Sequence, residues 1–218
     1  MSRSSGTNFK AVLFDKDGVL IDSLDTCFRS LNSMLKYYGR LELSRDFYIR
    51  ELWGLKSGTR FKGIEDLSDS EISEMTDYYH AMRDRNIDET KVFPHVFKVL
   101  TSLREKRLKL GLVTSTYRDR ALAILERFSL ISFFDVVVGG DEVEPKPSPE
   151  PILLACKKLQ LQPHDVLYIG DTMADIEAGI SSGCTTAIVA TSRSYEELAM
   201  IDGIIPLKDL TYVLKLIK

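Results

Sequence analysis

The 218-residue sequence has few of the residues that staple small proteins or bind soft metals. Its three cysteines, Cys27, Cys156 and Cys184, are scattered and form no Cys-x-x-Cys pair. That excludes a disulfide scaffold or a zinc module and leaves reduced, buried thiols as the expectation. The three histidines, His80, His95 and His164, are equally dispersed. No apolar run is long enough to cross a bilayer. Met1 to Asn8 lacks the apolar centre of a secretion signal and reads as a frayed, disordered tail. The formal net charge is −3 and no block of like charges stands out, so neither nucleic acid nor a membrane surface is an expected partner. No repeat or low-complexity segment is present. The expected compartment is the cytoplasm, and the expected state a monomer or homodimer.

What is present is an ordinary globular composition, 44% hydrophobic and 28% charged. The length allows one large domain or a core with an insertion. Short apolar runs recur: Phe9 to Phe14, Leu108 to Val113, Phe134 to Val138, Val166 to Ile169 and Thr186 to Ala190. They are rich in β-branched residues and lack a clean period of two, as parallel strands buried on both faces do. Amphipathic helical patterns lie between them, at Val96, Val99, Leu100 and Leu103, at Leu122, Leu125 and Phe128, and at Ile152, Leu153, Cys156 and Leu159. Pro149 suits the first turn of that third helix, with Ser148 as its N-cap. The alternation predicts an α/β fold with a doubly wound parallel sheet. Residues 23–92 break the rhythm. They show helical patterns and no convincing strand, and they read as a helical insertion after the first strand. The expected division is a core of residues 9–22 and 93–218, with residues 23–92 as a separate helical unit.

Ligands of such sheets bind at the carboxyl ends of the strands, so the residues that follow each strand matter most. Asp15-Lys16-Asp17-Gly18 follows the first. Two acids at i and i+2 of an extended chain project the same way, and Gly18 permits a sharp turn or a close backbone approach. Paired carboxylates repel unless a cation or a proton relieves them. Any single Asp here is more simply a loop acid. Thr114-Ser115-Thr116 follows the second strand, where hydroxyls and free N–H groups can hold a phosphate or merely cap a helix. Lys146, held between Pro145 and Pro147, follows the third. Lysines are usually solvated, but one in a restricted loop suits anion binding. Gly170-Asp171-Thr172-Met173-Ala174-Asp175 follows the fourth, with Asp171 and Asp175 one helical turn apart. Hard oxygens at that spacing suit Mg²⁺, although helix-dipole acids would look the same. A nucleophile, an acid, hydroxyls, a cation and metal ligands at successive strand ends together point to phosphoryl transfer.

With DKDGVL and Asp22, VTS, the Lys146 loop and GDTMAD all in place, the sequence resembles the haloacid dehalogenase superfamily, in its phosphoglycolate phosphatase and β-phosphoglucomutase-like branch. The resemblance covers nearly the whole chain beyond the first residues. It implies a Rossmann-like core with an inserted α-helical cap. It implies that Asp15 attacks phosphorus to form an aspartyl-phosphate and that Asp17 serves as acid and then base. It further implies that Gly18, Thr114, Ser115 and Lys146 hold the phosphoryl group. Asp171 and Asp175 would hold Mg²⁺ with Asp15 and the Asp17 carbonyl. An acid at position 17 fits the family's phosphatases and mutases rather than its dehalogenases or ATPases. Glu144-Pro145 departs from the glycine that usually precedes the lysine.

The reading that follows is a Mg²⁺-dependent phosphatase acting on a small phosphorylated metabolite, such as phosphoglycolate or a sugar phosphate. A β-phosphoglucomutase-like mutase is the alternative. The segment Gly54 to Arg60 lacks the Arg followed by Ser-Leu of the mutases, which favours hydrolysis. A pyrophosphatase, or a non-enzymatic phospho-acceptor or binding module, ranks lower. Lys56 and Arg60 are candidates to contact a second anionic group, although solvated surface charge explains them equally well.

Overall fold

One parallel sheet organises the chain. Its strands are β1 (Ala11–Phe14), β4 (Lys109–Val113), β5 (Val136–Val138), β6 (Val166–Gly170), β7 (Thr185–Val189) and β8 (Ile204–Leu207). They lie in the order β5-β4-β1-β6-β7-β8, with every neighbouring pair parallel. Two further short strands, β2 (Ile21–Asp22) and β3 (Lys91–Val92), form a separate antiparallel pair. The computed structural model describes residues 9–57, 61 and 67–217. Met1 to Asn8, read above as a tail, lie outside the described residues.

Counted along the chain, the sheet strands follow the 3-2-1-4-5-6 order of a doubly wound fold. The winding reverses beside β1, between β4 and β6, and this switch point places the carboxyl ends of β1 and β6 next to each other. Helices cover both faces. Val12 and Phe14 face one core with Val99 and Leu103 of α4 (Val96–Glu105). Ala11 and Leu13 face another with Ile152, Ala155 and Cys156 of α6 (Glu150–Leu159). The period of two is therefore present, but both faces are apolar and the sequence hides it.

Residues 24–85 supply a third apolar cluster. Cys27, Leu31, Met34 and Leu35 form a stripe on α1 (Leu24–Tyr37). They meet Tyr48, Leu52 and Trp53, which follow the short α2 (Arg45–Phe47), and Met75 and Tyr79 of α3 (Asp69–Arg85). A Ser68–Glu71 capping box starts α3. The pair β2–β3 joins the start of this segment to its end, with Ile21 opposite Val92.

Several expectations shift in detail. The first strand begins at Ala11, the second at Lys109 and the third at Val136, later than the apolar runs suggested. Strand β8 lies outside the five apolar runs; it contains Pro206 and sits at the sheet edge, where proline is tolerated. The segment expected to lack strands ends in β3. Pro149 is the N-cap of α6 rather than a first-turn residue, and Pro151 stands in the first turn, where a missing N–H costs nothing; Ser148 Oγ accepts from the Glu150 N–H at 3.3 Å. The remaining core helices are α5 (Arg118–Arg127), α7 (Met173–Ser182) and α8 (Tyr195–Leu198).

Leu31 is fully buried in the helical cluster. Leu31→Ala is expected to cost about 3 kcal/mol through lost contacts and a cavity. Urea unfolding followed by fluorescence of Trp53, the only tryptophan, checks this; an unchanged midpoint would show that Leu31 is not in a closed core.

Candidate active site

The tip of β1 delivers Asp15 to the switch point. Its backbone N–H donates to the Ile169 carbonyl at 2.8 Å, which carries the β1–β6 pairing one residue further. The side chain is buried, at 4% exposure. Lys146 reaches it from the loop after β5, with Nζ 2.9 Å from Asp15 Oδ1 and 2.7 Å from Asp175 Oδ1. Lys146 Nζ also donates to the Tyr168 hydroxyl at 3.3 Å. An ammonium has three protons, and three acceptors take them. Burial alone would lower the Lys146 pKa, but the Asp15 and Asp175 carboxylates hold it above its ordinary value.

Asp175 is the third residue of α7 and forms a capping box with Thr172. Its Oδ1 accepts from Lys146 and from the Tyr168 hydroxyl at 2.5 Å. Its Oδ2 accepts from the Thr172 N–H at 3.0 Å, the Thr172 hydroxyl at 2.5 Å and the Asp171 N–H at 3.3 Å. Burial would raise this carboxyl; Lys146, Thr172 and Tyr168 together bring it below its ordinary value. Asp171 differs. Its Oδ2 accepts from the Trp53 indole N–H at 2.8 Å, while its buried Oδ1 has no partner among the described residues. Burial first, then the Asp175 and Asp15 carboxylates, push the Asp171 carboxyl well up. Asp15 is raised to about 7 by burial first, then by the Asp175 and Asp17 carboxylates, against the pull of Lys146.

Oxygens of Asp15, Asp171 and Asp175 lie within 4.8 Å of one another, all buried. A crowd of hard oxygens with a single ammonium and an orphaned Asp171 Oδ1 fits a small divalent cation. Gly18 makes this approach possible. It has φ of +83°, and a Cβ there would lie 2.1 Å from Asp171 Oδ2.

Asp17 turns away from that cluster. Lys16 Nζ lies 2.6 Å from its Oδ2, the Ser23 hydroxyl donates to Oδ1 at 2.5 Å, and Arg83 of α3 approaches Oδ1 at 3.4 Å. Burial would raise the Asp17 carboxyl, but Lys16, then Arg83 and the hydrogen bonds, hold it well below the usual carboxylate range. Lys16 is fully buried; burial pulls its pKa down, and Asp17 only partly restores it.

A cleft of about 510 Å³, partly open to solvent, lies over Asp15 and Asp17. Thr114, Ser115, Thr116 and Tyr117 line it from the loop after β4, and Trp53, Gly54, Lys56, His80 and Arg83 from the helical segment. Thr114 is buried, and its hydroxyl accepts from the Thr116 N–H at 3.2 Å, so that among the described residues its proton has no acceptor. Ser115 donates its hydroxyl to the Gly54 carbonyl at 3.0 Å. Gly54 has φ of +86°, and a Cβ there would meet Thr172 at 2.7 Å. The Trp53–Gly54 turn thus touches the loops after β4 and β6 directly. Lys56 lies 5.2 Å from the Tyr117 ring centre. Arg60 lies outside the described residues.

The structure therefore gathers Asp15, Asp17, Gly18, Thr114, Ser115, Lys146, Asp171, Asp175 and Lys56 around one cleft and its floor. Sequence reasoning missed several residues that shape it. Tyr168 hides inside an apolar strand. Thr191 donates its hydroxyl to the Gly18 carbonyl at 2.7 Å, and the Ser192 hydroxyl donates to the Asp171 carbonyl; both look like loop residues. Lys16 and Arg83 did leave a signal. Arg83 continues the buried stripe Ile72, Met75 and Tyr79 of α3, where a charge is out of place unless it has a partner.

Comparison with known proteins places the chain in a family. The family model for haloacid dehalogenase-like hydrolases matches residues 12–189. The pyrophosphatase PpaX of Bacillus pumilus is 34% identical over 88% of this chain and 88% of its own. The phosphoglycolate phosphatase of Aquifex aeolicus is 33% identical over 82% of this chain and 84% of its own. Among solved structures, β-phosphoglucomutase from Clostridium difficile superposes with a TM-score of 0.83 over 95% of this chain and 96% of its own, at 20% identity, which shows a shared fold. With the motif residues gathered at the switch point and a family match across most of its length, the chain belongs to the haloacid dehalogenase-like hydrolases and is a phosphohydrolase.

Proposed function

We propose that this chain is a Mg²⁺-dependent phosphatase that hydrolyses a small phosphate ester through an aspartyl-phosphate on Asp15. One observation carries the reading: the Asp15 carboxylate is fixed by Lys146 at 2.9 Å, beside the oxygens of Asp171 and Asp175, on the floor of a cleft.

Asp15 Oδ2 attacks phosphorus in line with the ester bond. That bond breaks, and the leaving oxygen takes a proton from Asp17. Water then attacks the aspartyl-phosphate. Asp17, now a carboxylate, takes the water's proton, the bond from phosphorus to Asp15 breaks, and phosphate leaves. The cations around Asp17 suit it to the second step; a phosphoryl dianion arriving beside it opposes them and moves the carboxyl towards its acid form for the first. Thr114 holds a phosphoryl oxygen, and Lys146 orients the Asp15 carboxylate for attack. Asp15, Asp171 and the Asp17 carbonyl would hold Mg²⁺. Both Asp175 oxygens already accept hydrogen bonds, so its part is to fix Lys146 and the start of α7. Bound Mg²⁺ supplies charge neutralisation between an anionic nucleophile and an anionic substrate.

Asp15→Asn is expected to abolish phosphate release from p-nitrophenyl phosphate, by more than about 10³-fold, because the nucleophilic charge is lost. Substantial remaining turnover would refute the nucleophile.

Cation binding must displace the proton that Asp15 holds below about 7. Without metal, the folded state carries this proton while the unfolded chain, near 3.8, has released it. Stability through this group therefore falls as pH rises between those values. Saturating Mg²⁺ removes the penalty, so its gain in Tm is expected to be larger at about pH 7.5 than at about pH 5.5. Differential scanning fluorimetry with Mg²⁺ and with EDTA measures this; an equal gain at both pH values refutes the assignment. Turnover that survives full chelation refutes the metal requirement.

A further inference from the structure

We propose that Arg83 determines specificity by binding a second anionic group on the leaving portion of the substrate, so that the enzyme selects phosphate esters or anhydrides whose leaving group is itself negatively charged. This rests on the phosphohydrolase reading above and names the substrate class for the same cleft.

Lys146 is fully engaged by Asp15, Asp175 and Tyr168. Lys16 is engaged by Asp17 at 2.6 Å, and neither lysine lines the cleft. Among the described residues, the permanent cations that do line it are Lys56 and Arg83, both from the helical segment facing the phosphoryl floor. Lys56 is half-buried. Arg83 keeps only 9% of its side chain exposed.

The surroundings of Arg83 do not account for it. A guanidinium carries five N–H donors and prefers a carboxylate or phosphate that accepts two of them in parallel. Among the described residues, the one carboxylate within ion-pair distance is Asp17, at 3.4 Å, and Lys16 and Ser23 already satisfy Asp17 with shorter bonds. The remaining neighbours are apolar or weakly polar: the Tyr79 ring at 5.9 Å, with Cys27 and Tyr48 nearby. A buried cation with one long, shared bond is costly unless an anion completes it. Its contact with Asp17, the group that protonates the leaving oxygen, places the guanidinium beside the leaving group. An acceptor there belongs a bond or two beyond the leaving oxygen. A carboxylate and a second phosphoryl group both meet that description; the hydroxyls of a sugar do not.

The test compares kcat/KM for three substrates: 2-phosphoglycolate, pyrophosphate, and 2-hydroxyethyl phosphate, which matches phosphoglycolate in length but ends in a neutral hydroxyl. At least one anionic substrate is expected to exceed the neutral one by roughly 50-fold, the scale of a desolvated charged hydrogen bond. Which of the two does so distinguishes a carboxylate from a phosphoryl partner. Arg83→Met is expected to collapse that ratio to within about fivefold, and Arg83→Lys to retain part of it. A wild-type ratio near one overturns the proposal. So does a ratio unchanged in Arg83→Met, including a uniform loss on all three substrates, which would mean that Arg83 serves Asp17 alone. Should Arg83→Met fail to fold, calorimetry on the Asp15→Asn protein decides. Tighter binding of 2-phosphoglycolate or pyrophosphate than of 2-hydroxyethyl phosphate, by at least about tenfold, supports the proposal, and equal binding overturns it. That selective binding without wild-type turnover of any of the three would refute the phosphatase reading and leave the recognition standing.

Discussion

Among the described residues, the ammonium of Lys146 is the one cation placed directly among the carboxylates at the switch point, 2.9 Å from Asp15 and 2.7 Å from Asp175. A doubly wound sheet forces this problem on the chain. Strands β1 and β6 pair side by side, so whatever follows them meets at close range. Here both are followed by acids, and α7 adds a third. Burying such a group without compensation costs several kcal/mol per charge. Lys146 answers part of the cost, the Thr172 and Tyr168 hydroxyls answer more, and the raised Asp15 and Asp171 carboxyls show what is left over. That remainder is the charge that the proposed Mg²⁺ would neutralise.

The Trp53–Gly54 turn is fitted to the same centre. The Trp53 indole satisfies one oxygen of Asp171 and leaves the other open, and the Gly54 carbonyl takes the Ser115 hydroxyl. A side chain at Gly54 would strike Thr172. The helical segment therefore does more than roof the cleft: its first contact with the core is made on the residues that follow β4 and β6. The helical segment and the acidic centre are joined through these few atoms.

Much of this was legible in the sequence, for physical reasons. Apolar runs at intervals marked a parallel sheet, and the rule that ligands sit at strand carboxyl ends turned scattered acids into one site. Asp15, Asp17, Lys146, Asp171 and Asp175 all follow strands, so strand positions alone sufficed to bring them together. Residues that act from inside an element escaped. Tyr168 looks like any buried strand residue, and its hydroxyl matters only because Asp175 stands one helical turn past the end of β6. Strand β8 escaped because Pro206 is forbidden in a central strand, and an edge position cannot be read from sequence. Thr191 and Ser192 escaped because a supporting hydroxyl leaves no pattern. Arg83 could have been found: it is a charge on the apolar stripe of α3.

Asp15 and Asp17 stand two residues apart, yet their surroundings drive them in opposite directions. Asp15 shares its cation with Asp175, so burial and the like charge of Asp175 and Asp17 dominate and its carboxyl rises to about 7. Asp17 has Lys16 almost to itself, with Arg83 in reserve, and its carboxyl falls. The division depends on which way Lys16 points. A lysine between two acids could pair with either, or lie exposed. Here it is fully buried beneath the turn after β1 and committed to Asp17. That commitment leaves Asp15 to Lys146 and the cluster with Asp171 and Asp175. Two neighbouring carboxylates with separated proton affinities are what a reaction needs when one group attacks and the other carries protons. In the DKDG turn, the residue between the acids is thus as much a part of the chemistry as the acids themselves.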